Sequence, residues 1–265
     1  MRKYFQLFKI TLQEYLVYRL NFILWRFRSF VSFVTLLIFW QAVYSSRENL
    51  FGYEKSQMIA YVIGVALLRG IVLGSRSIDM AGQIRSGELT KVILRPLGIF
   101  KFWLAKDLAD KLLNIGFSLL EVLAVVKLFG LSFYFPAKAE TYLLFIIILC
   151  LATFLYFFVS FAISSTAFWT DDPWATRWLF GIIFLEFMAG TYFPIDVLPK
   201  ALANIFYLTP FPYLVYFPIR IWNEQVGGAI VLEKIIICAG WLVVFYVVST
   251  KIWQKGIKNY GAYGG

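Results

Sequence analysis

Asp171 and Asp172, adjacent and followed by Pro173, are the side chains whose types and spacing most resemble an acid/base or cation site. Two carboxyls side by side could share a proton or hold a metal. No histidine occurs in the chain, however, and no basic cluster surrounds the pair to take a phosphate. The missing imidazole removes the commonest general base and metal ligand, and an Asp-Asp-Pro run is ordinary turn chemistry. Cys150 and Cys238 lie in apolar runs, with neither disulfide nor metal-ligand spacing. Gly82 and Gly87 have the GxxxxG spacing of a phosphate loop, yet Glu88 and Leu89 follow where such a loop needs Lys and Ser or Thr. The expectation is a chain with no catalytic residues, no metal site and no nucleotide or cofactor site of its own.

Charge inside apolar sequence is the second chemical signal. A carboxylate or arginine at mid-membrane costs about 2.5–3.5 kcal/mol on insertion scales, so Glu121, Glu186 and Arg69, each embedded in apolar sequence, need partners or water. Glu186 precedes Gly190 by one helical turn and is a candidate for lining a translocation path, where it meets a cationic substrate or anchors a buried hydrogen bond. For Glu121, also a path candidate, pairing with Lys127 or a neighbouring span is expected ahead of substrate contact.

The elements that must position these groups belong to a membrane. The chain is 61% hydrophobic, 20% aromatic and 15% charged, with a mean hydropathy of +0.75, far from a water-soluble domain. At about 20 apolar residues per crossing there is room for about six spans, and none for a separate ATPase or hydrolase domain. Apolar length and flanking charge place spans at about 24–45, 57–75, 107–131, 141–168, 178–192 and 229–251. The fold expected is all-α and integral to the membrane, one domain over residues 1–265. Phe5, Phe8, Leu12 and Leu16 recur every three or four residues among Arg2, Lys3, Lys9 and Arg19, which predicts an interface helix over about 1–20. A cleavable signal is not expected there, since no short apolar core is followed by small residues.

With both termini on one side, that side holds 18 of the 25 Lys and Arg residues, and the other side holds seven. Positive residues are retained inside, so the termini are expected in the cytoplasm. The same asymmetry, with attraction to anionic lipid headgroups, accounts for the net charge of +10 without nucleic-acid binding. Most of the tryptophans fit interface belts.

Two segments break the pattern of spans. Residues 82–98 are compact and polar, and an amphipathic helix over 83–95, ended by Pro96, would present Ile84, Leu89, Val92 and Ile93 to a hydrophobic groove on a partner. Arg85, Glu88, Lys91 and Arg95 would make polar contacts around it. Residues 190–218 contain Pro194, Pro199, Pro210, Pro212 and Pro218, five of the eight prolines, and cannot form one straight helix. Broken apolar backbone at membrane depth is tolerated where protein shields it or it lines a cavity, so two short helices dipping in from the outer face are expected.

The run Ile84-Arg85-Ser86-Gly87-Glu88-Leu89, with Leu94 and Pro96, resembles the cytoplasmic coupling region of type-2 ATP-binding-cassette (ABC) export permeases. Gly190-Thr191-Tyr192-Phe193-Pro194-Ile195-Asp196, with Pro199 and Pro210-Phe211, resembles their outer re-entrant hairpin, and Trp253–Tyr260 resembles the carboxyl end of a subgroup of small bacterial permeases. Gln83 departs from the pattern, standing where many relatives would carry an acidic residue. The resemblance implies a six-span permease in the bacterial cytoplasmic membrane, with an amino-terminal interface helix, a coupling helix (Ile84 to Leu89, Arg95 and Pro96) and a re-entrant hairpin (Gly190, Pro194, Asp196, Pro199 and Pro210). It implies pairing with a second permease, identical or similar, and seating on a separate ATPase subunit that holds the ATP and magnesium. The rival readings are a membrane scaffold or assembly protein and a membrane enzyme acting on lipids.

Overall fold

The computed structural model describes residues 2–170, 181 and 185–261. Asp171, Asp172 and Pro173, with residues 178–180 and 182–184 of the span expected at 178–192, lie outside the described residues.

The long helices form from apolar runs free of proline, and shorter helices, one of them holding Pro218, lie between them. In order they are α1 (Arg2–Val17), α2 (Arg19–Val43), α3 (Lys55–Ile71), α4 (Met80–Arg85), α5 (Leu89–Ile93), α6 (Ile99–Phe129), α7 (Ala139–Ser165), α8 (Lys200–Tyr207), α9 (Tyr216–Trp222) and α10 (Gly228–Asn259). Short 3-10 turns fall at Arg76–Asp79, Thr166–Phe168, Ile195–Val197 and Phe211–Tyr213. α2, α6, α10 and the stretch Ala139–Phe168 containing α7 are each long and apolar enough to cross a membrane. Two bent pairs raise the number of crossings to six if each counts as one: α3 with Arg76–Arg85, bent by 51°, and α8 with Phe211–Trp222, bent by 77°. Large apolar side chains such as Leu120, Leu123, Leu143, Ile146, Ile236 and Val243 stand exposed along α6, α7 and α10, as suits helices whose outer faces meet lipid.

One departure from an all-helical chain lies between α2 and α3. β1 (Asn49–Leu50) pairs antiparallel with β2 (Tyr53–Glu54) in the register Asn49↔Glu54 and Leu50↔Tyr53. Phe51 and Gly52 take the positive φ (56° and 81°) that a two-residue hairpin turn requires. The buried Tyr44 hydroxyl satisfies the carbonyls of Leu50 (2.9 Å) and Tyr53 (3.1 Å).

Helix directions follow from side-chain partners. The Tyr4 hydroxyl accepts from the Gly98 amide (3.3 Å), Glu14 approaches Lys106 (3.9 Å), Phe22 packs edge-on to Phe117 and Arg26 meets Glu121. These partners advance together, so α1 and α2 run parallel to α6. α1 is amphipathic as expected, but it is docked along the first turns of α6; Leu7 and Thr11 are buried and Phe5, which heads the expected stripe, is exposed. α7 and α10 are likewise parallel, with Phe158 against Tyr246 and Phe161 against Trp253. Three buried clusters result. One joins α3, α7, α9 and α10 around Tyr61, Leu155 and Tyr213; one joins α1, α4, α5, α6 and α7 around Phe102, Trp103 and Phe161; one joins α2, α3 and α6 around Leu37, Met58 and Val125.

Glu224, in the loop before α10, fastens the start of α7. Its carboxylate accepts from the Tyr134 hydroxyl (2.7 Å), the amides of Ala137 (3.1 Å) and Lys138 (3.0 Å) and the Thr141 hydroxyl (3.0 Å). These donors, Tyr134 foremost, pull the carboxyl from 4.5 down to about 2. A depressed folded value contributes stability above the unfolded value and loses it as pH falls through the folded one. In detergent, Glu224→Gln is expected to melt below the wild type at neutral pH, and the gap should close between about pH 4.5 and 2. A gap that stays constant across that window in a thermal melt would remove this role.

Candidate functional site

The coupling region begins where α3 stops. Lys111 of α6 donates to the carbonyls of Ile71 (2.9 Å) and Gly74 (2.6 Å), two groups left without helical partners when α3 ends. Asp107, one turn earlier on α6, accepts from the Arg76 amide (2.8 Å) and lies 3.6 Å from Lys111 Nζ. The Arg76 side chain reaches the Tyr15 hydroxyl of α1 (2.8 Å), and Tyr15 in turn donates to Asp110. Burial, then the Asp110 charge, hold the Tyr15 phenol above its usual range, so it remains a donor. A buried charged junction thus turns the chain out of α3 and into α4.

The expected single helix over 83–95 is instead two short helices. Gly87, at φ +73°, breaks the chain between them in the left-handed region that favours glycine. The re-aimed backbone turns Ile84, Leu89 and Val92 inward, onto Leu7, Phe102, Trp103 and Phe161. They are therefore spent on the chain's own core, and only Ile93 of the four expected apolar contacts is exposed. The open surface is formed by Arg85, Ser86, Glu88, Lys91, Ile93, Leu94, Arg95 and Pro96, with Gly87 half-buried. Lys91 binds Glu88 at 2.9 Å, and that hydrogen bond lowers the Glu88 carboxyl. Thr90 meets the Tyr260 hydroxyl at 3.2 Å, which brings the end of α10 to the same site. A cleft of about 250 Å³ opens between α1 and α5, bordered by Glu14, Lys91, Arg95 and Lys106.

The proline-broken segment is fastened to the opposite end. Gly190, at φ +79°, lets the backbone turn beneath Tyr61, whose hydroxyl donates to the Gly190 carbonyl at 2.6 Å; a Cβ on Gly190 would stand 2.8 Å from the Tyr61 hydroxyl oxygen. Trp40 donates to the Tyr192 carbonyl (2.9 Å). Pro194 opens the turn containing Asp196, Pro199 opens α8, and Pro210 opens the turn before α9. Asp196 accepts from Tyr53 of the β hairpin (2.8 Å) and from Arg220 of α9 (2.6 Å), joining three parts of this end. Burial, then the Asp196 carboxylate, keep the Tyr53 phenol above its ordinary range.

The in-span carboxylates have separate partners. Glu121 pairs with Arg26 of α2 at 2.5 Å, rather than with Lys127, and Arg26 also reaches Asn114 (3.2 Å) and Ser118 (3.3 Å). Glu186 pairs with Arg69, accepts from the Tyr192 hydroxyl (2.8 Å), and leaves about a quarter of its side chain exposed. Arg69 also donates to Ser32 (2.9 Å) and lies over the Tyr192 ring. Asp107, Asp110, Lys111, Asn114 and Ser118 were missed by sequence reasoning, although with Glu121 they recur every three or four residues along α6. That polar stripe within an apolar helix was the available signal.

Apolar helices crossing a bilayer, two bent helical pairs and a projecting polar segment held by charged pairs define a multi-pass membrane protein built to meet a partner outside the lipid. Residues 30–264 match the ABC-2 family transporter protein family, and the chain belongs to that family. It is accordingly a permease component of an ABC transporter, which pairs with an ABC ATPase. No curated protein and no solved structure matches the chain.

Proposed function

We propose that this permease carries an amphiphilic, lipid-linked, peptide or drug-like substrate outward across the bacterial cytoplasmic membrane, driven by ATP hydrolysis on the separate ATPase subunit. The observation that supports it best is the polar outer surface of Arg85–Pro96, seated on a buried charged junction at the same end as Tyr4 and Tyr260. In this reading the termini are cytoplasmic, the crossings number six, and the 190–218 segment re-enters from the outer face. The chain is not itself an enzyme; ATP and magnesium bind the partner. Two permeases, identical or similar, form the path. Glu186, part-exposed at membrane depth, would be costly against lipid and is assigned to the path face; Glu121, closed off by Arg26, is assigned to holding α2 on α6.

The test is purification of the tagged chain from its native membranes in mild detergent, with identification of the accompanying subunit and an assay of ATP hydrolysis, followed by transport in inverted vesicles. Gly87→Trp places a large side chain in a left-handed backbone at the coupling surface. ATP-dependent uptake is expected to fall by roughly tenfold or more, within the usual range of coupling free energies. Full uptake by this variant, or purification without any ATPase under several detergents, would overturn the assignment.

A further inference from the structure

Resting on that reading, we propose that the ATPase is gripped by the Ile93–Leu94 knob, and that the partner offers an apolar socket rimmed by carboxylates. Within the coupling region Ile84, Leu89 and Val92 are buried, whereas Ile93 is 42% and Leu94 80% exposed. Leu94 is flanked by the exposed cations Lys91 and Arg95, with Arg85 on the preceding helix. Lys91 has Glu88 as its partner, while among the described residues no ion pair or side-chain hydrogen bond engages Arg85 or Arg95. An exposed apolar side chain within a positive collar fits a surface that is apolar at its centre and acidic at its edge.

A lipid surface has similar chemistry, but the length of α6 argues against it. The 31 residues of α6 span about 46 Å at 1.5 Å per residue, against about 30 Å of hydrocarbon. Lys101, Lys106, Asp107, Asp110 and Lys111 all lie in its first half, so the surplus of about 16 Å projects at that end. Leu89 and Val92 pack on Phe102 and Trp103 of that projecting part, so the short helix that ends before Leu94 lies at its level rather than in the hydrocarbon. The cleft bordered by Lys91 and Arg95 gives the socket's edge a place to enter.

The experiment uses the full permease purified with its native ATPase. Leu94→Asp is expected to reduce the ATPase recovered by roughly tenfold or more, as loss of an interface anchor does, while Leu94→Met retains it. Arg95→Glu should weaken recovery at low salt and flatten its dependence on salt. Because Leu94 and Arg95 are exposed, the variants should elute as folded permease. If the wild type brings down the ATPase and Leu94→Asp brings down as much, the knob assignment fails and the exporter reading stands; if the wild type brings down none, the exporter reading itself fails. A fluorophore on Leu94→Cys in nanodiscs, quenched by headgroup-labelled lipid without ATPase, would show that the knob sits on the membrane and would also overturn the proposal.

Discussion

Lys111→Met is expected to destabilise the protein by about 3–5 kcal/mol, the cost of leaving one member of a buried ion pair alone. Asp107 is fully buried and Lys111 nearly so. Removing the ammonium leaves the Asp107 carboxylate with the Arg76 amide and no opposing cation within the junction's first contacts. It also leaves the carbonyls of Ile71 and Gly74 without their donor, and an orphaned buried polar group costs about 1–3 kcal/mol. The two costs overlap, because both fall on the same turn of chain. Asp107→Asn added to Lys111→Met removes the unpaired charge and should recover much of the loss, without restoring the capped carbonyls. Thermal melts of both variants in one detergent decide the matter. If Lys111→Met melts with the wild type, the junction is not what fixes the exit from α3.

The class of fold was legible because composition decides it: apolar runs of span length leave few alternatives once water is excluded. Positions of α2, α6, α7 and α10 followed from the same runs, though α6 begins earlier than expected, at Ile99, since its charged first turns read as loop. What the coupling helix would face was not legible. Ile84, Leu89 and Val92 form an apolar stripe whether they meet a partner or the chain's own core, and only the floor supplied by α1, α6 and α7 decides between them. The positive φ of Gly87 acts in the same way, because glycine permits that backbone without demanding it. Partners across the bundle were hidden for a different reason. Nothing local ties Glu121 to Arg26 or Asp196 to Tyr53; those pairings appear only when α2 runs parallel to α6 and the β hairpin folds over the 195–197 turn. The polar stripe on α6 is present in the sequence, but nothing local says which neighbouring helix Glu121 meets.

Arg26 and Glu121 should behave as one unit, and a double-mutant cycle is expected to show it. Their side chains are 11% and 19% exposed, in helices that cross the membrane. Arg26→Leu strands the Glu121 carboxylate, and Glu121→Leu strands a guanidinium that keeps only Asn114 and Ser118. Each single change should cost about 2.5–3.5 kcal/mol, the price of an unpaired charge at mid-membrane on insertion scales. The double change to leucine removes both charges and buries apolar surface, so its cost should lie well below the sum, with a coupling energy of about 1–3 kcal/mol. Cycles in membrane proteins often give smaller couplings, because the membrane-inserted unfolded chain also finds polar partners. A value near the lower limit would thus still mark a formed pair, whereas strict additivity in melting experiments would mean that α2 is held on α6 by the apolar contacts around Phe22 and Phe117 alone.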